Sequence, residues 1–144
     1  MQFTKTEKGY FIRLLKGENL VEKLTAFCAQ QQIHAGIFSA IGSVAKAELG
    51  YFNPEKKEFS FTIFDQPLEI VSLSGNVSLV ADKPFLHIHA VFSDDKLTCH
   101  GGHLKEAVVG PTCEFFLTNF DATISREYDK STGLMLLACA SSEA

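Results

Sequence analysis

Five histidines, His34, His87, His89, His100 and His103, are the side chains best suited to chemistry in this sequence. Two of them lie in the apolar run Pro84-Phe85-Leu86-His87-Ile88-His89-Ala90-Val91-Phe92. In a strand, side chains two apart share a face. Phe85, His87, His89 and Val91 then stand on one side, and Leu86, Ile88, Ala90 and Phe92 on the other. Both sides are largely apolar, which places the histidines in a pocket or an interface rather than in open water. A turn through Asp94-Asp95-Lys96 returns Cys99-His100-Gly101-Gly102-His103-Leu104 beside that strand. Two imidazoles from one strand and a third, His103, from the next segment suit a divalent ion with one coordination position left open. Catalytic zinc is held in that way. Neutral imidazole also takes iron, nickel or copper, so the residues leave the metal's identity open. The same spacing also fits hydrogen-bonded histidines with no ligand role. His100 falls at a turn, and His34 follows a helix as a capping or surface residue.

Two carboxylates, Glu69 and Glu114, sit in apolar strand-like runs, where an unpaired charge is costly. Each is a candidate catalytic acid or base beside a metal-bound water, or a partner that orients a metal ligand. An ion pair with Arg13 or a lysine, or a place on an edge strand facing solvent, accounts for them equally well. Cys99 beside His100 does not read as a nucleophile pair, because adjacent strand residues face opposite ways. No phosphate-binding loop, dinucleotide fingerprint, serine nucleophile elbow or H-E-x-x-H helix occurs.

These residues depend on a scaffold that is mostly strand. The strongest helix signal begins at Asn19, an N-cap with Glu22 three residues on. Leu20, Leu24, Phe27 and Cys28 follow at helical spacing, so a helix over about 19–32 is expected. Period-two alternation predicts strands near 10–16, 35–41, 44–52, 58–64, 68–80, 85–93, 112–120 and 134–139. The segment Leu104–Val109 reads as a short flanking helix or a loop. Ala81-Asp82-Lys83 and Asp94-Asp95-Lys96 read as hairpin turns. The expected class is α+β with a mixed, mainly antiparallel sheet, in a single domain over 1–144.

The chain has 144 residues, 46% hydrophobic and 21% charged, which matches a globular domain that folds without disulfides or structural metal. Phe is frequent at 13, which fits a large core or a core plus a buried subunit interface. The formal charge is −4, and the only two arginines are Arg13 and Arg126. Without a basic stripe, direct nucleic-acid binding is not expected. Cys28, Cys99, Cys113 and Cys139 form no C-x-x-C pair and read as reduced thiols. The N-terminal residues carry no apolar signal run, and no stretch is long enough to cross a bilayer. A cytoplasmic protein with no membrane association is expected.

Four ordered motifs carry a family resemblance. They are Gly36-Ile37-Phe38-Ser39-Ala40-Ile41-Gly42-Ser43-Val44 continuing to Leu49-Gly50-Tyr51-Phe52, Leu68-Glu69-Ile70-Val71-Ser72-Leu73-Ser74-Gly75-Asn76, Pro84 to His89, and Gly101-Gly102-His103-Leu104. Together with Arg13 to Glu18 and the helix that follows, they closely resemble the plants and prokaryotes conserved (PPC) domain, from about Tyr10 to about Leu137. The resemblance implies an α+β fold, a homotrimer, and a histidine motif that falls here on His87, His89 and His103. Stand-alone prokaryotic members carry a DNA-binding label taken from plant relatives, in which an AT-hook supplies the minor-groove contact. No Arg-Gly-Arg-Pro core of that kind occurs here. A similar histidine set holds zinc in acetolactate decarboxylase, whose fold is distantly similar. The functions in view are a trimer with a divalent metal, zinc first, or small-ligand site, then a metal-dependent lyase- or hydrolase-like enzyme. A regulatory scaffold that binds a protein partner follows, and a DNA-associated protein comes last.

Overall fold

The computed structural model describes residues 1–139. Helix α1 spans Leu20–Gln30. Asn19 caps it, with its side-chain oxygen accepting the Glu22 N–H at 2.9 Å, so one of the helix's unpaired first-turn donors is satisfied. Leu20, Leu24, Phe27 and Cys28 are its buried stripe. The helix stops two residues before position 32, where Gln32 enters the left-handed region at φ 54°.

The described residues form nine strands, two before α1 and seven after it: β1 Gln2–Lys5, β2 Gly9–Leu15, β3 Gly36–Asn53, β4 Glu58–Phe64, β5 Leu68–Val80, β6 Lys83–Ser93, β7 Cys99–Asn119, β8 Arg126–Asp129 and β9 Leu134–Leu137. Every strand-to-strand ladder is antiparallel, and Leu79 with Ser125 makes one isolated parallel bridge. The α+β class therefore holds, with α1 the one helix among the described residues.

The flanking helix expected at Leu104–Val109 is instead the middle of β7, a 21-residue strand. Its register partners on β3 include Leu49 for Leu104, Ala47 for Ala107 and Val44 for Val109. Long-range pairing with β3, backed by the isolated bridge of Val108 to Asn19, outweighs the helix propensity of Leu-Lys-Glu-Ala. The two strands expected at 35–41 and 44–52 are one strand, β3, bent at Gly42. Gly42 lies at φ 134°, and a Cβ there would meet the Thr112 carbonyl oxygen at 2.3 Å. Only glycine fits such a bulge without strain.

Both hairpin turns form. Ala81 and Asp82 take φ of 47° and 61°, the pattern of a two-residue type I′ turn. Asp94 Oδ1 accepts the N–H groups of Lys96 and Thr98, each at 2.9 Å, and so fixes the β6–β7 connection.

The sheet order is β1-β2-β7-β6-β5-β3-β4, and β7 also pairs with β3. That extra pairing closes β3, β5, β6 and β7 into a ring. Its inner face carries Phe38, Leu73, Ile88, Phe92, Val109 and Phe115, all buried in one cluster with the α1 stripe. The outer face carries the alternate residues, His87, His89 and His103 among them. No helix among the described residues is long and apolar enough to cross a membrane.

Candidate metal centre

The β6–β7 hairpin assembles the site. His87 and His89 stand two apart on β6, and His103 on β7 is the direct register partner of His89. Opposed residues of an antiparallel pair share a face, so the three rings converge. Their centroids are 5.1 Å (His87–His89), 5.3 Å (His87–His103) and 5.6 Å (His89–His103) apart. One nitrogen from each ring lies within 4.8 Å of the others, and no carboxylate or thiol joins the group among the described residues. Zn–N bonds of about 2.0–2.1 Å need the rings to close inward by less than about 1 Å.

Glycines permit the approach. A Cβ on Gly102 would meet the Gly50 carbonyl oxygen at 2.8 Å, so the two backbones approach closely there, with neither Gly101 nor Gly102 at positive φ. Gly50 is the β3 partner of His103, and a Cβ there would strike the Phe61 ring at 2.6 Å. The open space lets Phe59 lie against His103, with ring centroids 5.0 Å apart. Neither Gly50 nor Phe59 was evident as a site residue in the sequence, because neither carries a donor atom. Their signal was the β3–β4 register, which brings Gly50 opposite Phe61.

His87 and His103 are half-buried and His89 is exposed. Burial, the Arg126 guanidinium and the other two imidazoles push His87 down to about 4. Burial and then His89 also lower His103. Both therefore stay neutral at pH 7, the state in which imidazole ligates metal. His103 Nδ1 is buried with no hydrogen-bond partner, a costly arrangement that coordination through that nitrogen would relieve. The donor set thus fits a divalent ion.

The His87 shift fixes a pH dependence. Its folded pKa, about 4, lies below the ordinary 6.5, so only the unfolded chain gains this proton as pH falls between the two. Its contribution to stability is complete above pH 6.5, shrinks towards pH 4 and changes no further below. Metal-free wild-type protein should therefore lose more thermal stability over that window than His87→Gln does. Parallel melting curves of the two proteins across the window would contradict this assignment.

The other expected residues lie elsewhere. His100 Nε2 is 3.6 Å from Asp94 Oδ2, and its ring packs on Phe64 at 4.8 Å. It alternates with His103 along β7 and faces away from the cluster. His34 is exposed beyond the helix. Glu69 and Glu114 are both exposed. Glu69 pairs in register with Ser43 and Ser93, and Glu114 with Arg13 and Ile41. Neither joins the histidines.

The fold and site define a small α+β protein whose ring-closed antiparallel sheet carries a three-histidine cluster on its outer face. The model of the Plants and Prokaryotes Conserved (PCC) domain matches residues 1–121, and the chain belongs to that family. A metal-containing protein from Archaeoglobus fulgidus is 40% identical, with a TM-score of 0.86 over 96% of this chain and 99% of that one. A candidate DNA-binding protein from Bacteroides thetaiotaomicron is 28% identical, with a TM-score of 0.93 over 95% of this chain and 96% of that one. The bifunctional protein GlmU of a Synechococcus strain is 33% identical over 93% of this chain, which spans only 21% of that relative's length. A Staphylococcus aureus protein described as similar to alpha-acetolactate decarboxylase shares the fold alone, at 15% identity and TM-score 0.58, over 82% of this chain and 55% of that one.

Proposed function

We propose that His87, His89 and His103 hold one divalent metal ion, zinc before the others, and that the protein uses it to bind a small ligand. The convergence of three imidazole donors within 4.8 Å carries this reading. The metal-containing relative from Archaeoglobus fulgidus supports it. A bound ion would supply Lewis acidity towards an oxygen of the ligand. The chain's own residues position and shield the donors: Phe59 packs on the His103 ring, and Gly50 leaves the space for it.

A metal-dependent lyase or hydrolase also needs a proton-transfer group, and exposed Glu69 and Glu114 do not stand beside the rings. Ligand binding is therefore the better-supported reading. DNA association, named for the Bacteroides relative, finds little support in a chain of net charge −4. We also read the protein as a cytoplasmic homotrimer. Four free cysteines fit a reducing compartment. Phe11, Ile37, Ile41 and Phe116, each at least half exposed on the outer face, fit a surface buried between copies.

Elemental analysis of tag-free protein purified without chelator tests this. About one metal ion per chain is expected, and almost none in the His87→Ala/His89→Ala variant. Equal metal content in the two proteins would sink the site. The solution mass of the same preparation tests the trimer, which a 15.9 kDa monomer would exclude.

A further inference from the structure

Arg126 is 8% exposed, yet no carboxylate among the described residues lies within ion-pair distance of it. A buried charge is ordinarily paired. Its guanidinium instead donates to three neutral acceptors, each at 2.8 Å: Nε to Ser78 Oγ, Nη1 to the Met135 carbonyl and Nη2 to Asn76 Oδ1. It also stacks 5.0 Å from the Phe85 ring centroid. Arginine offers five N–H donors, so two remain, one on each Nη.

The location of this cation gives it meaning. Asn76 is the register partner of His87, and Phe85 shares the outer face of β6 with His87. Arg126 therefore flanks the histidine cluster on the side away from Phe59. Three imidazoles would leave the double charge of an ion undiminished, and no acid joins them. A metal ion on the three histidines would then have a buried guanidinium beside it, near enough to act on His87, and no acid within the donor group. Arg126 also lies beyond residues 1–121, the part matched by the family model.

We propose that Arg126 selects the ligand of this site: a small carboxylate, held by the two free N–H groups of Arg126 and by the metal on the three histidines. The proposal rests on the metal reading above. A planar carboxylate matches a two-donor guanidinium fork, and charge-assisted bonds of this kind are the strong ones. Arg126 is thus a ligand-positioning residue as well as a clamp that ties the β8–β9 hairpin to β5.

Cobalt(II)-loaded protein provides the test, because the visible spectrum of the ion reports what joins it. Wild type, Arg126→Gln and Arg126→Lys are titrated with oxalate, phosphate and neutral imidazole. Cobalt content should be equal in all three proteins. Oxalate affinity should fall about tenfold or more in Arg126→Gln, while imidazole affinity stays level. Arg126→Lys keeps the charge but loses the fork, so it should weaken oxalate severalfold, and it carries the test if the glutamine variant does not fold. Oxalate affinities within twofold across the folded proteins overturn the proposal. So does a clear preference of the wild type for phosphate. Wild type that takes up no cobalt overturns the metal reading itself, before any anion is added.

Discussion

Replacing His103 with alanine is expected to lower metal affinity by more than about a hundredfold, since loss of a mere orienting partner already costs 10–100-fold. On the proposed site His103 would be one of three donors, and among the described residues no carboxylate or thiol stands by to replace it. The metal-free protein should behave differently. His103 Nδ1 is buried without a partner there, so removing the ring removes an unsatisfied polar atom along with its packing on Phe59. Those effects oppose one another. Added zinc should therefore raise the melting temperature of the wild type and leave that of His103→Ala unmoved, because a ligand stabilises only the fold that binds it. Thermal melts with and without zinc read the difference directly. An equal zinc-induced shift in both proteins would show that the ion binds elsewhere.

Phe92→Ala should destabilise the protein by about 3–5 kcal/mol, the usual cost of emptying a buried aromatic site. Phe92 is 0% exposed on the inner face of β6 and belongs to the same buried cluster as the α1 stripe. Removing its ring leaves a cavity where a closed sheet has little freedom to collapse. Against a total stability of about 5–15 kcal/mol, that loss places the variant near the threshold of folding. Chemical denaturation should show the midpoint falling at unchanged slope. A loss below about 1 kcal/mol would mean that the ring closure does not constrain this position. Because Phe92 and His89 face opposite sides of one strand, the variant also tests whether the site depends on the core behind it.

Much of this molecule is readable in one dimension, for a definite physical reason. Strands β4 and β5 were expected at 58–64 and 68–80 and lie at those bounds, because their apolar residues recur largely at the two-residue period of a strand, although β5 breaks step at a bulge between Ile70 and Ser72. The start of α1 directly after Asn19 followed from a side-chain cap that acts over three residues. The common face of His87 and His89 followed from the period of the strand, and the return of His103 from a local Asp94 turn. All of these are short-range effects.

Tertiary structure decided the rest. Leu104–Val109 has helix-forming residues but pairs along β3, and Gly42 bends one long strand where alternation suggested two. β1 and β8 were not expected, since each is four residues long and gains its order from a single neighbour. Gly50, Phe59 and Arg126 come to the histidines from distant segments and bear no local mark of doing so. Glu69 and Glu114 had the right chemistry in the right kind of strand, but the register pairs them with other residues. Donor types and local periodicity are written in neighbouring residues. Which donors meet depends on strand register and ring closure, and these are settled only when the whole core packs.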